Sequence, residues 1–144
     1  LNKYKFSLDN VLNWRSSQEE EAKKSFLVYQ QAQREQEEIL EGFVEASQRI
    51  KKEQTNLVDI NTLRQQYVYK DHLDNEIIKQ QQTVMKYSNE TEKMKDIFVG
   101  AQKERKILER LKEKHYETYI SDSKKEEQKE LDEMGTLRYG NSIF

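Results

Sequence analysis

The chain's only imidazoles are His72 and His115, and there is no cysteine among its 144 residues. A zinc or two-metal site would have to recruit carboxylates around those two side chains. The helical two-metal pattern places a Glu three positions before each histidine, so that both ligands project from one face. Those positions hold Tyr69 and Lys112. A phosphate-cradling loop needs clustered glycines, and the four glycines stand apart at 42, 100, 135 and 140. Without a thiol there is neither a thiolate nucleophile nor a disulfide. These residues supply no catalytic constellation, no metal site and no cofactor site, so the chain is expected not to be an enzyme.

What remains is charge and aromatic surface. The chain carries 25 basic and 27 acidic residues, interspersed along its length, for a net charge of −2. That balance argues against nucleic acid as a partner held by overall charge. Most charge reads as solvated helix faces, with Glu19–Lys23, Glu20–Lys24 and Glu45–Arg49 at favourable i,i+4 spacing. One stretch departs from the pattern. Lys103, Arg105, Lys106, Arg110, Lys112 and Lys114 set six basic residues against Glu104, Glu109 and Glu113, which suits a surface for an acidic partner. Tyr67 and Tyr69 are candidates for a second partner site. Tyr116, Tyr119 and Ile120 are aromatic and apolar groups with no evident cover, a pattern that points to a partner.

These candidates must be positioned by helices. The chain has no proline, and apolar residues return every three or four positions. Ser7 is expected to cap a first helix, with Phe6 stapled onto Val11. A seam at heptad spacing runs Ala22, Ser25, Tyr29, Ala32, Gln36, Ile39, Phe43, Ala46, Ile50. A second runs Leu73, Ile77, Gln80, Val84, Tyr87, Thr91, Met94, Phe98, Ala101, Arg105, Leu108. Between them Thr55 to Thr62 concentrates cap-forming and β-branched residues, with Asp59 or Asn61 as the cap of a new helix. The reading is an all-α, long antiparallel two-helix coiled-coil hairpin. Helix 1 spans 7–56, a bend 57–62, and helix 2 63–134, unpaired from about 113, with a stop at Gly135 and a tail over 135–144. Folding about residue 60 sets Tyr29 against Thr91, Ala22 against Phe98, Ser25 against Met94 and Ala46 against Leu73. Gln36 and Gln80 are polar positions that weaken the apolar seam. The longest apolar run, Phe26 to Tyr29, is far below the roughly 20 residues that span a bilayer. The start lacks the apolar stretch of a secretory signal, so a soluble cytoplasmic protein is expected.

Three segments carry a family resemblance. Tyr4 to Arg15 (Tyr-Lys-Phe-Ser-Leu-Asp-Asn-Val-Leu-Asn-Trp-Arg), followed by Glu19, Glu20 and Ala22, resembles the opening of the flagellar FliJ family. Glu104 to Lys114 and Glu126 to Glu133 resemble that family's later signatures, in the same order. The resemblance implies a stalk of the flagellar type III protein export apparatus, similar to the central shaft of rotary ATPases. Such proteins dock in the hexameric export ATPase, promote its assembly and activity, couple it to the membrane export gate through the gate protein's cytoplasmic domain, and handle the escort chaperones of filament-type substrates. It implies a cytoplasmic protein held peripherally at the membrane of the basal body, without inserting into it. The ATPase-facing residues would be Lys103, Arg105, Lys106, Arg110, Lys112 and Lys114. The gate-facing strip would comprise Phe43, Ile50, Tyr69 and Leu73. The alternatives are another structural coiled coil, or an export chaperone bound to a single client protein.

Overall fold

The computed structural model describes residues 3–53 and 59–143. It contains two helices, α1 (Asp9–Glu53) and α2 (Ile60–Ile143), and no strand among the described residues. The chain falls into two compact units, Glu20–Gly100 and the combination of Leu1–Glu19 with Ala101–Phe144. Each pairs a stretch of α1 with a stretch of α2.

Helix α1 starts slightly later than a Ser7 cap would place it. The Asp9 N–H donates to the Phe6 carbonyl at 3.1 Å, closing a turn, and the Leu12 N–H donates to Leu8 at 2.8 Å, opening the helical ladder. Asp9 sits in the first turn and Lys51 and Lys52 in the last, each favourable to the helix dipole. Helix α2 starts at the expected cap. The Asp59 carboxylate accepts from the Asn61 N–H at 3.2 Å, and its carbonyl accepts from Leu63 at 3.1 Å. Helix α2 thus begins at Ile60, inside the bend expected over 57–62, and residues 57 and 58 of that bend lie outside the described residues. Gly135 does not stop α2, which runs through it to Ile143. A glycine ends a helix by taking positive φ, and no described glycine does so.

Within Glu20–Gly100 the pairing is antiparallel and keeps a register centred near residue 60. The Thr91 hydroxyl donates to the Tyr29 carbonyl at 3.2 Å, as well as to Tyr87 in its own helix. Gln80 Nε2 donates to both the carbonyl and the Oε1 of Gln36, each at 2.9 Å. Gln80 thus donates twice across the seam to Gln36, and such a polar contact fixes register where an apolar seam would tolerate sliding. Phe26 stacks on Phe98 at a centroid distance of 6.1 Å.

The α2 seam lies where its spacing places it, with every position from Leu73 to Phe98 buried or half-buried. The α1 seam needs a one-residue correction at two positions. Ala22, Tyr29, Ala32, Gln36, Phe43, Ala46 and Ile50 are buried or half-buried as expected, but Ser25 and Ile39 are exposed and their neighbours Phe26 and Leu40 turn inside. Removing a phenyl ring from water outweighs burying a serine, so the helix phase settles on Phe26. Phe98 consequently meets Phe26. Ile50 and Leu73 are the buried apolar residues of this unit, Leu73 being only 3% exposed.

Candidate docking surfaces

In the unit that joins Leu1–Glu19 to Ala101–Phe144, the segment before α1 crosses onto α2. Tyr4 places its ring 5.0 Å from Tyr116, edge-on, and 5.2 Å from Tyr119. Its hydroxyl donates to the Lys112 carbonyl at 3.3 Å and lies 3.3 Å from His115 Nδ1. Phe6 is buried with its ring 5.6 Å from His115, while Val11, the expected staple partner, stays exposed. The aromatic residues that the sequence leaves without cover are thus met by this chain's own Tyr4. The expectation that α2 is bare from about residue 113 changes accordingly, since the N-terminal strap reaches as far as Tyr119.

The six basic residues of 103–114 divide into two groups. Arg105 bonds Glu19 across the helix pair and Glu109 in its own helix, the latter at 2.6 Å. Lys112 donates to Asp9 at 2.8 Å. Arg15 closes a third bridge, to Glu104. The hydrogen bond to Glu19, then that to Glu109, holds the Arg105 guanidinium above its ordinary pKa. The bond to Asp9 does the same for Lys112. These cations fasten α2 to α1.

Lys103, Lys106, Arg110 and Lys114 are exposed and make no ion pair among the described residues. At 3.6 residues per turn they share the side of α2 that points away from α1. Ile107 lies among them, 66% exposed. Lys103, Lys106, Ile107, Arg110, Glu109 and Glu113 border a groove of about 520 Å³. This surface has positive charge, an apolar point and a recess, which suits an acidic partner. Running α2 through its α1 contacts supplies the helix phase that separates the two groups. The sequence count treats all six alike.

The second expected strip, in the unit Glu20–Gly100, does not form one surface. Ile50 and Leu73 are buried between the helices and Phe43 is half-buried, whereas Tyr69 is 50% exposed. Tyr67 and Val68 beside it are also exposed. His72 is exposed, and among the described residues no three His, Cys, Asp or Glu side chains gather as metal ligands.

Compared with known protein families, residues 4–143 match the model described as Flagellar FliJ protein. The chain belongs to the FliJ family. It is therefore a component associated with flagellar biogenesis and protein export, in a family that is not catalytic. Searches of curated proteins and of solved structures gave no match. The FliJ match spans both units, including the strap and the exposed basic face. No helix among the described residues is long and apolar enough to cross a membrane.

Proposed function

We propose that this FliJ-family chain is the stalk of the flagellar export ATPase. It docks in the hexameric ring, promotes the ring's assembly and activity, links it to the cytoplasmic domain of the export gate, and receives export chaperones. It works in the cytoplasm at the face of the membrane beneath the basal body. The observation that supports this reading most is the division among the cations. Arg105 and Lys112 are engaged with α1, while Lys103, Lys106, Arg110 and Lys114, on the opposite side, make no ion pair among the described residues. The gate contact is assigned to Phe43, Ile50, Tyr69 and Leu73, of which Tyr69 is the exposed member.

The test is ATP hydrolysis by the cognate export ATPase, with and without this chain. Stimulation is expected, and it is expected to fall to the unstimulated rate when Lys103, Lys106 and Arg110 become glutamate. An unchanged rate with the native chain, together with tight binding of one substrate terminal segment, would place it instead among single-client chaperones.

A further inference from the structure

Past the strap contacts, Lys124 and Lys125 fall on the same side of α2 as the outward cations of 103–114. Taking Lys103 as the reference and turning about 100° per residue, Lys106, Arg110, Lys114, Lys124 and Lys125 all fall within roughly 60° of it. The α1-facing residues Arg105, Leu108, Lys112 and Tyr119 fall on the opposite side. Lys124 and Lys125 are exposed and make no ion pair among the described residues. They were no part of the basic stretch read from the sequence, because Glu117 and Asp122 intervene along the chain. Only Glu117 of those two shares the face. Asp122 and Glu126, which flank Lys124 and Lys125 along the chain, turn to the other side, so the local sum of charge hides a cationic row that runs to Lys125, short of Asp132 on the same face.

We propose that the docking surface is one strip of six cations, from Lys103 to Lys125, about 33 Å long at ~1.5 Å per residue. Its partner is an acidic protein surface that also supplies an apolar side chain to the recess at Ile107. The proposal rests on the docking reading above and extends it to residues which that reading does not include. Two features favour a protein over a lipid headgroup layer. A shallow groove lies beside Ile107, and Glu117 on the row, with Glu113 at its edge, would be pressed against an anionic bilayer. A partner protein can leave gaps opposite those carboxylates.

The experiment is calorimetric titration of the full chain into the cognate export ATPase at several salt concentrations, with far-UV circular dichroism to check that each variant is helical. Lys124→Glu with Lys125→Glu is expected to weaken binding about tenfold or more and to flatten the salt dependence. Glu117→Lys is expected to tighten binding, which no merely structural role would produce. Lys23→Glu with Lys24→Glu, elsewhere on the chain, should leave affinity unchanged. If the Lys124 and Lys125 changes leave affinity intact while Lys103, Lys106 and Arg110 reversal abolishes it, the extension is wrong and the docking reading stands. If neither set alters binding, both are wrong. Equal affinity for phosphatidylglycerol vesicles or for RNA would overturn the assignment of an acidic protein.

Discussion

Leu73→Ala is expected to lower the stability of the Glu20–Gly100 unit by about 2–4 kcal/mol. Leu73 is the most buried apolar side chain named in either unit, at 3% exposure. Truncating it removes transfer free energy and leaves a cavity that two stiff helices close only in part. Two paired helices bury little apolar area per residue, so the loss is a large share of a stability on the order of 5–15 kcal/mol. Thermal melts followed at 222 nm should show the midpoint falling by several degrees or more. Tyr69→Ala, at a half-exposed position four residues earlier, should shift it little. An equal effect at the two positions would mean that Tyr69, too, belongs to the packing and not to a partner surface.

The second large effect separates the two kinds of cation. Arg105→Glu places a third carboxylate between Glu19 and Glu109, where the native guanidinium bonds both. A charged hydrogen-bond donor is lost and repulsion takes its place, at a cost of about 2 kcal/mol after allowance for partial exposure. Lys106→Glu, one residue along and exposed, should alter stability by less than about 0.5 kcal/mol. Urea unfolding of the two variants checks this directly. Loss of stability in Lys106→Glu comparable to that in Arg105→Glu would dissolve the distinction between fastening and docking residues. That distinction is the physical basis for reading the outward row as an interface.

Much of the architecture could be read from the chain itself. Leu73, Ile77, Gln80, Val84, Tyr87, Thr91, Met94 and Phe98 lie at unbroken heptad spacing, and the apolar neighbours Ile78, Met85 and Ile97 do not extend into a second stripe, since Glu92 interrupts it. The α1 seam was ambiguous because apolar residues stand side by side with its members. Ser25 precedes Phe26 and Ile39 precedes Leu40, so either phase satisfies the period and only packing decides. Gln36 and Gln80 looked like weak points because a sequence does not reveal that two polar seam positions meet. Tyr4 was the hardest to place. It lies ahead of α1 in a segment without periodicity, and nothing in the spacing says that it reaches Tyr116 and Tyr119. Composition identified the basic stretch, but the sides taken by Arg105 and Lys106 depend on where α1 sits.

A stalk of this kind requires the two helices to pair antiparallel within one chain, in the register that joins Gln36 to Gln80. The absence of native cysteine makes that claim directly measurable. In a Gln36→Cys, Gln80→Cys variant oxidised at low protein concentration, an intramolecular disulfide should form and leave a monomer of altered mobility on a non-reducing gel. A variant with the second cysteine moved to Lys95 should not close. Cross-linked dimers in place of the closed monomer would mean that the helices pair between chains, and the stalk reading would be contradicted.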